Sequence, residues 1–271
     1  GPAGTTVAAT LARRGFHVVL LERMPVPRRK CCAGGLTVAA AKLLPANVHP
    51  VFEQEIRSIR VSSVAGRSVE WTSATPFMYT ARRERLDEAL WREAVRCGVD
   101  ARDNCEVLRV ERTTDCVVLT SSDLVVRCRV AVGADGAAGL CAGAGFGGRR
   151  RHAAVGVALE YQREAGNAGA EGARVDLVIG LPGHTYGWVF PRQDTVSGGS
   201  EIHGRGTHRE TALEQVRAVA GVTGQTPLYR GVHPIPTSID RRARVLSDRV
   251  LLLGDAAGLC DPLTGEGVRH A

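Results

Sequence analysis

Residues 1–22 read GPAGTTVAATLARRGFHVVLLE, and this stretch decides the fold. Gly1-Pro2-Ala3-Gly4 precedes a small-residue helical segment, residues 5–14, that stops at Gly15. Residues 16–22 then have buried-strand character and end in an acid. A dinucleotide-binding turn needs one glycine for the turn, a second where backbone meets pyrophosphate, and a third where helix packs on strand. Gly1 and Gly4 take the second and third places, and Ala8 keeps the helix close. The helix N-terminus then offers its amides and the positive end of its dipole to phosphates. Glu22, closing the second strand, is placed to bind ribose hydroxyls. The place of the first glycine falls before Gly1, so these residues are expected to be an internal stretch of a longer protein, incomplete at both ends.

Composition narrows the field around that motif. The chain has 271 residues, 44% hydrophobic and 23% charged, which is enough for one large domain or two interleaved ones. Aromatics at 4% argue against a stacking platform for single-stranded nucleic acid. The formal charge is +7, and of the 35 basic residues only Lys30 and Lys42 are lysines. That balance suits a phosphate-bearing cofactor or an anionic surface, although scattered arginines are also what a solvated surface looks like. None of the eight cysteines forms a C-x-x-C pair, so a zinc ribbon is not expected, and no metal site is assigned. Cysteines within apolar runs point to a reducing, cytoplasmic setting. No apolar run is long enough to span a bilayer, so membrane contact is expected to be peripheral at most.

Periodicity predicts further elements. A short helix is expected over 36–44, a strand pair over 56–64 and 67–71, and a strand over 77–81. Leu86, Leu90, Ala94 and Cys97 mark an amphipathic helix over 83–97 that stops at Gly98. Strands follow over 106–112, 116–120, 124–132, 155–161, 174–179, 186–190 and 248–253, with a helix over 209–219. The stretch 165–173 reads as a loop, and 143–148 as a domain boundary.

The last of these strands runs into Gly254-Asp255-Ala256-Ala257-Gly258, and the chain continues to Pro262 and Gly265-Glu266-Gly267. Asp255 therefore ends a strand, at the usual ligand edge of an α/β sheet, where a carboxylate can accept from a ribityl hydroxyl. Together the two glycine motifs resemble the flavoprotein hydroxylase-type FAD fold. Arg83-x-x-Leu86-Asp87 is similar to that group's helix start near FAD, and Gly133-Ala134-Asp135-Gly136 to its second fingerprint. Gly139 and Ala142 stand where that fingerprint has serine and arginine. The expected class is α/β, a Rossmann-like FAD-binding domain interleaved with an antiparallel-sheet substrate domain. The first is expected over 1–55, 81–150 and 237–271, and the second over 56–80 and 151–236.

Two further motifs resemble those of the geranylgeranyl reductase family: Lys30-Cys31-Cys32-Ala33-Gly34-Gly35-Leu36 and Tyr186-Gly187-Trp188-Val189-Phe190-Pro191. Ala33 replaces one glycine of the cysteine loop. The resemblance, which also takes in Pro262 to Val268, covers essentially the whole chain. It places Gly1, Ala3, Gly4, Glu22, Arg23, Ala33, Gly34, Arg83, Gly254, Asp255, Pro262, Gly265, Glu266 and Gly267 at the cofactor. It implies FAD, fed by NADPH or a reduced ferredoxin, and saturation of isolated double bonds in a polyprenyl lipid, quinone or diphosphate. Reduced FAD would give hydride to one alkene carbon, with Cys32, Tyr186 or a water supplying the proton. Lys30 nearby would favour the Cys32 thiolate. Tyr186, Trp188 and Phe190 alternate along a strand and so share a face, as an apolar substrate wall or as ordinary core, and Pro191 follows them. The rival readings are an FAD monooxygenase or halogenase on the same fold, and a degenerate flavin-binding member. His184, His203 and His208 lack metal-ligand spacing, and Ser200, His203 and Asp240 lack a nucleophile elbow. No nucleic-acid partner is expected.

Overall fold

The computed structural model describes residues 1–141, 154–162, 173–181, 184–203, 209–236 and 246–271. The loop expected over 165–173 (all but its last residue), the boundary at 143–148, Ala142, His208 and Asp240 lie outside them. In chain order the elements begin with α1 (Pro2–Arg13), β1 (Val19–Leu21), β2 (Gly35–Thr37), α2 (Val38–Ala41), β3 (Gln54–Ser63), β4 (Ser68–Thr72) and β5 (Met78–Thr80). Then come α3 (Arg83–Arg96), β6 (Asp100–Arg102), β7 (Arg109–Arg112), β8 (Val117–Thr120), β9 (Val125–Cys128) and β10 (Ala131–Gly133). The rest are β11 (Ala154–Gln162), β12 (Ala173–Ile179), β13 (His184–Pro191), β14 (Thr195–His203), α4 (Arg209–Ala220), β15 (Tyr229–Ile235), β16 (Leu246–Ser247) and β17 (Val250–Leu252).

The chain divides into two compact units. The first comprises Gly1–Arg28, Leu86–His152 and Ile235–Ala271. In it β1 pairs in parallel with β6, and β10 in parallel with β17, which also carries β16. A separate antiparallel meander is made by β7, β8 and β9. Small residues let α1 lie close: Ala8 and Ala9 are buried against Ala94 and Val99, with Val18 and Leu20 packed beside them. In α3 the buried Leu86, Leu90 and Ala94 recur at four-residue spacing, as the period requires. Gly98, at φ +89°, ends that turn as expected.

The second unit comprises Arg29–Arg85 and Ala153–Pro234. Its sheet runs β15-β11-β14-β13-β12-β3-β5-β2, with β4 paired to β3. Every pairing in it that is described is antiparallel except that of β12 with β3. Helix α4 covers one face, where Leu213 and Val216 pack on Val157, Leu159, Tyr161, Val189 and Val196. Gly187 and Gly198 admit that helix: a Cβ on either would stand 2.6 or 3.0 Å from Val216. Period-2 alternation turns Trp188, Phe190 and Ala158 to the other face, where they cluster with Ile56 and Val175.

Several expectations shift. The units divide at 28/29 and 85/86 rather than near 55 and 81, because β2 hydrogen-bonds to β5 and Arg82 is ion-paired with Glu53 and Glu160. The helix expected over 36–44 begins as strand β2, and only Val38–Ala41 is helical. The strand expected over 124–132 is two strands, β9 and β10, in different sheets. Strands β14 and β15 were not foreseen: TVSGGSEIH and YRGVHPI carry glycine, serine and proline where a strand pattern wants branched residues. Among the described residues no helix is long and apolar enough to cross a membrane.

Leu213 is fully buried beneath this sheet. Leu213→Ala should cost about 2–5 kcal/mol of unfolding free energy, measured by denaturant titration. A loss below about 1 kcal/mol would mean that α4 does not carry the core of this unit.

Candidate functional site

The first unit builds a backbone cradle. Gly1 is the N-cap of α1, Pro2 follows in its first turn, and no side chain caps that end. The amides of Ala3 and Gly4 therefore remain at the helix end for a ligand. A Cβ on Gly4 would stand 3.4 Å from the Ala134 Cβ and 3.5 Å from Leu20, so the helix start is seated between the ends of β10 and β1. Glu22, just past β1, has one carboxylate oxygen 3.6 Å from the Gly1 nitrogen and 3.2 Å from Arg28 Nε. Its other oxygen accepts the Met24 amide at 3.1 Å. Arg28 also reaches Asp87 at 3.3 Å and so ties the acid end of β1 to the start of α3. Arg23 is exposed, and Arg28, not singled out in the sequence, does the holding.

The second glycine motif meets the first. After β17 a short 3-10 turn, Gly254–Ala257, is closed by Gly258 at φ +69°. Gly254 has φ +56°, and a Cβ there would stand 3.1 Å from the Ala3 Cβ. A Cβ on Gly267 would stand 3.1 Å from Asp255 Oδ1, so this glycine leaves the carboxylate its room. Asp261 knots the following loop by accepting from the amides of Leu263 (3.0 Å) and Thr264 (2.7 Å) and from the Thr264 hydroxyl (2.8 Å). Those bonds hold its carboxyl below the usual range, and the turn sets Gly265 and Glu266 in place. Gly139, at the serine position of the second fingerprint, has a local reason: any Cβ there would collide with the carboxylate of Asp135. Asp135 instead accepts the Cys141 amide at 2.8 Å.

These groups fit FAD. Uncapped amides suit a pyrophosphate, two strand-end carboxylates suit ribose and ribityl hydroxyls, and glycines stand where side chains would block the approach.

The second unit holds the cysteine loop. The Gly34 amide donates to Cys32 Sγ at 3.4 Å. The Gly34 carbonyl accepts the Ala81 amide at 2.9 Å, and φ is +83° with the Ala81 carbonyl oxygen filling the space of a Cβ. Only glycine serves here. A Cβ on Gly35 would stand 2.6 Å from the Phe190 ring, so the loop rests on the aromatic strand β13. Cys31 and Ala33 pack on the cluster that contains Trp188 and Phe190. Trp188 and Phe190 are themselves buried, whereas Tyr186 is half-buried with its ring centroid 6.1 Å from Trp188. The Pro191 carbonyl accepts the Thr80 hydroxyl at 2.8 Å.

A pocket beside the loop is lined by Arg29, Lys30, Cys32, Glu84, Ala158, Leu159, Glu160, Arg192, Ser197 and Tyr229. Burial pushes the Cys31 thiol up to about 11, against the smaller pull of a backbone hydrogen bond from Ala158 and of Lys30 and Arg83. Arg83, buried at the start of α3, thus acts on the cysteine loop. Tyr229 went unnoticed because its strand did. Its phenol is raised by burial and the nearby Cys31, and Arg29 stacks 5.5 Å from its ring centroid. Among the described residues no group of three or more His, Cys, Asp or Glu could hold a metal.

The cradle defines a dinucleotide-binding flavoprotein. A family model described as an FAD binding domain matches residues 1–271, and the chain belongs to that family. Within it the chain is an FAD-dependent oxidoreductase, and the relatives it resembles are geranylgeranyl reductases. Over 286 residues it is 28% identical to a geranylgeranyl diphosphate reductase of Rhodobacter capsulatus, covering all of this chain and 70% of that protein. A geranylgeranyl bacteriochlorophyll reductase-like structure from Thermoplasma acidophilum superposes with TM-score 0.80 at 19% identity, over all of this chain and 72% of the other. The myxobacterial chondrochloren halogenase superposes with TM-score 0.78 at 19% identity, over 99% and 69%. At such identities the superpositions show the fold.

Two outcomes check the site. Glu22→Ala in the full-length protein should weaken FAD binding roughly 10- to 100-fold, the worth of a charged hydrogen bond, in a flavin fluorescence titration. In peptide-resolved alkylation with iodoacetamide, Cys31 should stay unmodified near neutral pH and react only as pH climbs toward about 11, where its thiolate forms.

Proposed function

We propose that this chain forms the flavin-binding and catalytic part of an enzyme that saturates isolated carbon–carbon double bonds in a polyprenyl group. The observation that carries the reading is the seating of the Cys32 loop on the strand of Tyr186, Trp188 and Phe190, on the sheet face that α4 leaves uncovered. FAD, once bound and reduced, supplies a hydride. Gly1, Ala3, Gly4, Glu22, Gly254 and Asp255 would hold it.

The rest falls to the protein. An isolated alkene is a poor hydride acceptor, so a proton must reach one carbon as hydride reaches the other. Cys32 is the donor best equipped to give it. Its thiol is half-exposed at the pocket, and the Gly34 amide already points at the sulfur and would stabilise the thiolate left behind. Tyr186 adds a polar tip to the apolar strand. Trp188 and Phe190 back the wall from within the core and keep water from the reacting carbons. NADPH or a reduced ferredoxin would return the electrons, and a long prenyl substrate would bring the protein to a membrane surface.

The test uses the full-length enzyme, a reductant and polyprenyl lipids, diphosphates and quinones. A product heavier by two hydrogens supports the proposal. A gain of oxygen or halogen would sink it in favour of the monooxygenase or halogenase reading. Cys32→Ala should keep its flavin and slow saturation by roughly 100-fold, the usual scale of a lost proton donor. Unchanged turnover would remove Cys32 from the mechanism.

A further inference from the structure

The Cys32 loop needs something to set its distance from the aromatic strand, and the strand carries the candidate itself. Arg192 follows Pro191 directly and is only 5% exposed. Its amide donates to the Thr195 carbonyl at 2.9 Å, which closes the turn between β13 and β14, and its carbonyl accepts Gln54 Nε2 at 3.3 Å. The backbone of Arg192 is therefore fixed on both sides. One arm of the guanidinium lies 3.1 Å from Glu160 Oε1, and the other donates to the Cys32 carbonyl at 3.3 Å. The same arm would stand 3.3 Å from a Cβ on Gly34.

Glu160 is held in turn. Its Oε1 accepts the Thr195 hydroxyl at 2.9 Å and lies 3.4 Å from Arg82 Nε. Arg82 pairs further with Asp194 and, at 3.7 Å, with Glu53, whose other oxygen accepts the Gln193 amide at 3.0 Å. A buried guanidinium needs a carboxylate, and its planar fork spaces two acceptors in fixed geometry. Here those acceptors are Glu160 and the Cys32 carbonyl.

We propose that Arg192 is the positioning residue of the cysteine loop, fixing the Cys32 sulfur relative to β13 through the Cys32 backbone. The proposal rests on the reading of Cys32 as the proton donor. Lysine keeps the charge but cannot reach Glu160 and the Cys32 carbonyl with one planar group, so Arg192→Lys separates position from charge.

The experiment uses the full-length flavoenzyme. In Arg192→Lys, the alkylation rate of Cys32 with iodoacetamide, resolved by peptide mass spectrometry, should change about fivefold, the scale of one lost hydrogen bond, while Cys31 keeps its rate. Turnover should fall roughly tenfold with KM within about twofold, and flavin content should be unchanged. In the Cys32→Ala background the same substitution should cost no further turnover, because Arg192 acts through Cys32. An unchanged Cys32 alkylation rate, or an equal loss of turnover in both backgrounds, would overturn the proposal. If Cys32→Ala alone is silent, the proton-donor reading fails, and the alkylation rate still decides whether Arg192 sets the loop. Should Arg192→Lys fail to fold, Glu160→Gln takes its place: it loosens the fork from the far side, and an unmoved Cys32 rate there counts against the proposal.

Discussion

The close approach of glycine backbone to its neighbours is the constraint on which the candidate site depends. In the first unit Gly254 touches Ala3, and Gly4 sits against Ala134 and Leu20, so two motifs from opposite ends of the chain share one surface. In the second unit Gly34 yields its Cβ space to the Ala81 carbonyl, Gly35 to Phe190, and Gly187 and Gly198 to α4. Gly187 and Gly198 admit the helix, and Gly34 and Gly35 let the cysteine loop lie against Ala81 and Phe190. Each gives up side-chain contacts and some backbone entropy, which the surrounding pairing must offset.

Much of this could be read from residue order, because the responsible signals are local. Gly15 and Gly98 both take positive φ where they were read as helix stops. The hairpin of β3 and β4 and the helix α3 follow from alternation and from four-residue spacing. The two glycine motifs announced an FAD-binding fold before their contact was visible. Gly139, a departure when compared with a fingerprint, leaves room for the carboxylate of Asp135.

The remainder was hidden for physical reasons. Strand β14 owes its place to β11 and β13 on either side, and its own sequence, with paired glycines, has no apolar alternation to reveal it. Tyr229 was missed with β15 for the same cause. The roles of Arg28, within a short basic run, and of Arg192, among scattered arginines, were not legible, since a guanidinium's meaning lies in its partners, and Asp87 and Cys32 are far away in sequence. The family resemblance raised Trp188 and Phe190 as a substrate wall. The structure buries both in a core cluster and leaves Tyr186 half-buried beside them.

The single parallel seam described in the large sheet, β3 beside β12, has a temporal consequence. Its two strands start at Gln54 and Ala173, so the ribosome finishes the cysteine loop and its hairpin long before their neighbour exists. Until β12 emerges, that edge of β3 offers open amides and carbonyls to any passing chain. Of the intervening residues, Leu86–His152 belong to the other unit. Such non-local closure is slow and exposes the nascent polypeptide to mispairing.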